Sequence, residues 1–357
     1  MTNTKWLSAL LAGTALTVAS TAAMADTSLV TMTRNAAGEG VTFSVAPTAD
    51  MPASATEITV GGRVRTELWN EDYQSTGHFD GDRFGNDSEL YTDAALFMSG
   101  KTDTSVGQVR AFVNMYFTDN NTSSITYAGE WDFAPGFTLV GGYTTTLDGG
   151  TMGYGADIGT WLAGSYGTAG AGDHANEIMG VRYSTGPASF ALGMNSGEDS
   201  GEYDVTGQAK MDFGFGSIGA SFISGEESDG DEGDDGYTAS VGAMVMAGEQ
   251  LSFSGAYTMS DGRSDYYSHF GSWKCDDEGE ECSAVSLGAA YTMGDVKFSA
   301  GYSLQSDHDD DSYTEMRASV AWSATPKLTI VGQLVNQTND YDSDETNVAG
   351  VGAWFRF

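Results

Sequence analysis

Val296-Lys297-Phe298-Ser299-Ala300-Gly301-Tyr302-Ser303-Leu304 alternates without a break: Val296, Phe298, Ala300, Tyr302 and Leu304 oppose Lys297, Ser299, Gly301 and Ser303. A β-strand sends successive side chains to opposite faces, so this stretch is a strand with one apolar and one polar side. Just before it, Gly294-Asp295 is a tight-turn signal, and residues 283–293 form another candidate strand. Beyond an acidic connection at 307–311 the alternation resumes, with Met316, Ala318, Val320 and Trp322 opposing Glu315, Arg317 and Ser319. Strand, tight turn, strand, wide polar connection: the rest of the chain repeats this unit.

Working outward, sixteen such segments are legible, at 57–70, 88–102, 107–117, 124–133, 137–147, 176–184, 188–195, 203–213, 217–225, 237–247, 251–260, 283–293, 296–304, 313–324, 328–337 and 346–357. Most are about ten residues long, the length that crosses a bilayer as a tilted strand. Seven connections are short, among them Ala134-Pro135-Gly136, Thr185-Gly186-Pro187, Gly214-Phe215-Gly216 and Thr325-Pro326-Lys327. They alternate with eight longer, polar ones such as 71–87, 226–236 and 261–282. A soluble sandwich has no physical reason to sort its connections this way. An up-and-down transmembrane β-barrel does, with tight turns at one end and loops at the other. The last segment agrees, with Val351, Ala353, Phe355 and Phe357 sharing an apolar face that ends the chain.

A charge on the lipid side near the bilayer centre would cost about 2–4 kcal/mol. Arg63, Arg65, Arg110, Lys210, Lys297 and Arg317 are therefore expected in the lumen. Trp69, Tyr116, Phe117, Trp131, Phe133, Phe137, Tyr143, Phe190, Phe213 and Trp322 gather near segment ends, where membrane–water interfaces favour aromatic rings.

The N-terminus has the layout of a secretory leader. Lys5 precedes an apolar run that is too short to span a bilayer, and Ala23-Met24-Ala25 offers a cleavage site. The expected organisation is a leader over 1–25, a polar lead-in over 26–56 and the barrel over 57–357. Glycine is abundant at 48 residues but proline is only 5, the balance of strands and turns rather than of a flexible linker. The net charge of −35 argues against nucleic acid as a partner, because phosphate binding needs basic clusters. Cys275 and Cys282 are the only cysteines, and in an oxidising compartment a disulfide between them is expected.

Other signals point nowhere specific. Gly214 to Gly219 fits a dinucleotide fingerprint by letter, but it links two strands and opens no helix. The four histidines lie far apart, no G-x-S-x-G elbow occurs, and no enzymatic activity or cofactor is expected. The acidic runs at 226–235 and 307–311 lack an EF-hand register; they read as solvated loop surface, with surface Ca²⁺ bridging to lipopolysaccharide as the alternative.

One connection stands apart. Residues 148–174 form a long third loop carrying Met152, Tyr154, Ile158, Trp161, Leu162 and Tyr166, an apolar content that suits a loop folded inward. With this loop, the sixteen segments, the terminal Phe357, the opening Val60-Gly61-Gly62-Arg63-Val64-Arg65 and the stretch from Thr102 to Arg110, the chain resembles the general diffusion porins of Gram-negative outer membranes. The alphaproteobacterial type is the nearest match. It departs from enterobacterial porins in lacking a Pro-Glu-Phe-Gly-Gly loop sequence, and from related alphaproteobacterial porins in lacking a cysteine before the first strand. The resemblance implies a homotrimer in the cell outer membrane, surrounded by lipid and lipopolysaccharide and passing small hydrophilic solutes. It makes Asp148, Asp157 and Asp173 constriction-loop acids, with Arg63, Arg65, Arg110 and Arg182 as facing wall bases. Net charge and acidic loops would draw cations to the mouth. The alternative is a plugged structural or adhesive barrel working through those loops.

Overall fold

The computed structural model describes residues 30–34, 41–45, 56–74, 88–118, 123–144, 176–196, 203–226, 235–261, 281–306, 312–339 and 344–357. They form eighteen strands. β1 (Val30–Arg34) and β2 (Val41–Val45) are short; β3 (Thr56–Gln74), β4 (Ser88–Thr104), β5 (Gly107–Thr118), β6 (Ser123–Ala134), β7 (Phe137–Thr144), β8 (Asn176–Thr185) and β9 (Ala188–Ser196) follow. The second half holds β10 (Tyr203–Asp212), β11 (Gly216–Glu226), β12 (Asp235–Ala247), β13 (Leu251–Asp261), β14 (Glu281–Met293), β15 (Val296–Ser306), β16 (Ser312–Thr325), β17 (Leu328–Asn339) and β18 (Asp344–Arg356).

From β3 to β18 each strand pairs antiparallel with the next, and β18 returns to β3 from Arg356↔Arg63 to Glu345↔Gln74. The result is a closed sixteen-strand barrel, which leaves no backbone edge within the ring. The pairing satisfies every strand in turn, the only way apart from a helix to carry backbone through hydrocarbon. The seam is tight. Gly62 and Phe357 exchange N–H···O bonds of 3.0 Å in both directions. Below that point the same edge of β3 is taken over by β2, paired from Val41↔Val60 to Val45↔Thr56, with β1 hydrogen-bonded outside it. Five-residue strands in a polar lead-in are too short to show a period, so this hairpin is not visible in the sequence.

The seven tight connections hold two or three residues each, and all eight wide ones lie between described strands at the other end. At the β4–β5 turn Gly107 has φ +120°, and a Cβ there would sit 1.7 Å from the Asp132 carbonyl oxygen. Gly107→Ala is accordingly expected to destabilise the barrel by about 1–3 kcal/mol, read as a lower urea midpoint of refolded protein.

Register carries the sorting of faces around the whole ring. Outward positions are apolar and exposed, for example Leu287 (52%), Met316 (52%), Leu334 (63%) and Val351 (51%). Their inward neighbours Ser286, Glu315, Arg317, Gln333 and Gly352 are buried. Among the described strand side chains, outward charges occur only at Glu177, Asp261 and Glu345, each within two residues of a loop-side strand end. That is the distribution a bilayer imposes, because charge near strand ends costs far less than charge at mid-depth.

The aromatic girdle is narrower than the sequence suggested. Trp131, Phe133, Phe137 and Tyr183 make a continuous outward run, with centroids 5.8, 6.0 and 4.5 Å apart, beside the tight turns of β6–β9. Trp69 and Tyr116 do not belong to it. Trp69 is 5% exposed and faces inward, clustered with Ala321, Val331, Val335 and Val348. Tyr116 lies edge-on to the inward Phe97 at 6.0 Å. Proximity to a strand end placed both residues in the wrong group; strand parity decides the face.

Candidate functional site

The inner wall is where this fold can handle solutes, and its charges are arranged in neighbouring pairs. Arg63, Arg65, Arg110 and Arg182 all project inward. Parity places them there, since each is, or lies directly across the ladder from a residue that is, an even number of residues along its strand from a buried inward side chain. Asp148, Asp157 and Asp173 lie outside the described residues, as does Cys275. Cys282 is buried near the start of β14, 3% exposed.

Three of the four arginines meet carboxylates of the wall itself. Arg65 bonds Asp93, its cross-strand partner on β4, and its Nε lies 3.3 Å from Glu67 Oε1. Its guanidinium also stands over the rings of Tyr91 and Trp354, 5.6 and 5.9 Å from their centroids, and Trp354 Nε1 donates to Glu67 Oε1 at 3.1 Å. Arg110 reaches Glu130 through Nε and Asp132 through Nη2, both at 2.8 Å. Arg182 Nη2 donates to the other oxygen of Glu130 at 3.1 Å. Arg63 is the exception: among the described residues it has no ion-pair partner, and across the seam it faces Arg356.

The pattern holds elsewhere. Lys101 sits 2.8 Å from Glu57, Lys210 3.7 Å from Asp212, and Arg317 3.8 Å from Glu315, which also accepts from Gln337 Nε2 at 3.0 Å. Among the described strand side chains, inward bases and inward carboxylates number nine each. Sequence reading picked out the arginines because lipid rejects them; it missed Glu67, Asp93, Glu130 and Asp132, whose roles depend on cross-strand register between segments far apart in the chain.

The wall is also lopsided. Paired charges crowd β3 to β8, whereas the described inward side chains of β11 to β14 are uncharged, many of them Ser, Thr or Ala. There Thr238 meets Ser260 at 2.8 Å, Thr258 donates to Ser240 at 3.0 Å, and Ser286 meets Ser303 at 3.3 Å. The described residues hold no cluster of three or more side chains suited to a metal ion.

No protein-family model and no characterised relative matches the chain. Solved structures do. The outer membrane channel DcaP of Acinetobacter baumannii superposes with a TM-score of 0.68 at 14% identity, covering 85% of this chain and 97% of that one. The chain has the porin fold. An anion-selective porin from Comamonas acidovorans matches with a TM-score of 0.62 at 16% identity, over 85% of this chain and 100% of that one. A loop L8 deletion mutant of OmpT from Vibrio cholerae gives 0.60 at 15%, over 85% and 99%. At such identities the porin likeness speaks for backbone architecture, so wall chemistry must be argued from this chain's own side chains.

Proposed function

We propose that the protein is an outer-membrane porin, a water-filled channel for passive diffusion of small hydrophilic solutes and ions. The observation that carries this reading is the closed sixteen-strand ring with an apolar exterior and a polar, charged interior. The Gram-negative outer membrane is the compartment whose proteins share this architecture, and the leader sequence is in keeping with export to it.

Cation preference is part of the proposal. A net charge of −35, with acidic runs in the connections at 226–235 and 307–311, would concentrate cations at the mouth. Narrowing by the third loop is supported by the inward apolar cluster around Trp69, Val331, Val335 and Val348. That cluster is spread over β16, β17, β18 and β3, four to seven strands from β7 round the ring. Assembly as a homotrimer, kinship with the alphaproteobacterial porins and a Cys275–Cys282 staple complete the reading; the last is supported by Cys282 being disulfide-bonded.

A second reading, a plugged structural or adhesive barrel, has one observation on its side. Inner-wall residues such as Thr238, Ser286 and Val331 are fully buried. Current across a planar bilayer under a KCl gradient separates the two. Stepwise ohmic conductance with a reversal potential favouring K⁺ is the expected result. Folded, inserted protein that passes no current would leave the plugged barrel in its place.

A further inference from the structure

Among the wall's described ion pairs, those on β5, β6 and β8 form a group in which one carboxylate bridges two arginines. The Arg317–Glu315 pair is 2% and 0% exposed, out of reach of solutes. Arg110 and Asp132, by contrast, are 35% and 34% exposed on the inner face, and Glu130 beside them is 13% exposed. Glu130 stands between two arginines, one carboxylate oxygen 2.8 Å from Arg110 and the other 3.1 Å from Arg182. The row extends further: Glu57, Lys101, Arg110 and Glu130 are successive cross-strand partners over β3, β4, β5 and β6. Charge therefore alternates around the wall as minus, plus, plus, minus, and Glu130 closes it on the side of Arg182.

Nothing described on the far side can replace that carboxylate. β14 stands eight strands from β6 whichever way the ring is counted. Its inward side chains there include Ala284, Ser286 and Ala290, which carry no charge. Removing the Glu130 carboxylate therefore changes the net charge of the Arg110, Arg182, Glu130 and Asp132 group by one unit.

We infer that Glu130 is a selectivity-determining residue: by bridging Arg110 and Arg182 it cancels the positive wall and keeps the lumen permissive to cations. The inference rests on the channel reading above and adds to it the side chain that sets the sign. Without Glu130, Arg110 would keep Asp132, but the group as a whole would gain one positive charge. A unit charge some 5–8 Å from an ion in water, partly screened by salt, changes relative permeability by about two- to fourfold.

The test is the reversal potential of single channels in planar bilayers under a KCl gradient, for wild type, Glu130→Gln, Glu130→Asp and Arg110→Gln. Glu130→Gln is expected to lower the K⁺ over Cl⁻ permeability ratio by about two- to fourfold, Glu130→Asp to leave it near wild type, and Arg110→Gln to raise it. Opposite signs from the two neutralising variants cannot come from general loosening of the wall. Open channels with the same ratio in wild type, Glu130→Gln and Arg110→Gln would overturn the inference while leaving the porin intact. A wild type that passes no current would instead remove the channel reading, and the inference with it. Should Glu130→Gln fail to insert, Arg110→Gln decides: an unchanged ratio in that variant overturns the assignment.

Discussion

Gly62→Val should prevent the barrel from closing properly. Gly62 lies on the outward face of β3 where the first and last strands of the ring meet, and the Phe357 ring lies across it. A Cβ at this position would stand 2.5 Å from the ring's Cζ and 2.7 Å from the Ala95 carbonyl oxygen. The two obstacles differ in kind. The ring is a side chain and could swing away, leaving the reciprocal backbone bonds between Gly62 and Phe357 in place. The Ala95 carbonyl belongs to the β3–β4 ladder, where Arg63 pairs with Ala95, and it cannot retreat without breaking that register. Overpacking alone costs about 1–3 kcal/mol, and lost β3–β4 pairing adds to it. We expect a loss of at least about 3 kcal/mol, seen as a reduced fraction of heat-modifiable, compact barrel on gels after refolding into detergent. Gly62→Val combined with Phe357→Ala should recover only part of the loss, because it relieves the ring and not the carbonyl. Full recovery in the double variant would show that the carbonyl contact is unimportant.

Val320→Arg should destabilise the protein by about 2–4 kcal/mol when it is folded in lipid, and much less in a loose detergent micelle. Val320 is in the middle of β16, outward and 44% exposed, between the cross-strand partners Phe298 and Gly332. In water a 44% exposed valine tolerates arginine at little cost. In hydrocarbon the guanidinium must snorkel or carry water with it. Urea titrations of the refolded variant in liposomes, with Val320→Leu as the size control, measure the difference. A Val320→Arg protein as stable in liposomes as wild type would mean that this face does not meet lipid, and the transmembrane reading would fall.

Much of this architecture was legible in the chain because a strand's period of two is a local property. Segments read from alternation alone match β5, β9 and β13 to within a residue at each end, and the largest departures are at β3, which runs on to Gln74, and β7, which stops at Thr144. Both lie against wide loops, where the alternation fades into polar sequence and no turn residue marks the boundary. The tight turns were found wherever Gly or Pro announced them, as at Pro135-Gly136 and Gly294-Asp295. The inward placement of the arginines followed from the cost of charge in lipid.

Partners were not legible. Arg65 and Glu67 are close in sequence, but Asp93 joins them only because β3 and β4 pair with Arg65 opposite Asp93, and Trp354 only because β18 closes the ring from the far end of the chain. Glu130 reads as one more acid among 50 until register sets it between Arg110 and Arg182. The inward turn of Trp69 was likewise missed, since its position near a segment end suggested an interface while its parity belonged with Glu67. What the sequence determined by itself was therefore everything carried by neighbours along the chain: strands, turns, the face each residue takes, and the alternation of short and wide connections. Closure, the seam at Gly62 and Phe357, and the pairing that neutralises the inner wall were decided by tertiary structure. They depend on register between segments up to the whole length of the barrel apart, and a two-residue slip would keep every side chain on its face while exchanging every partner.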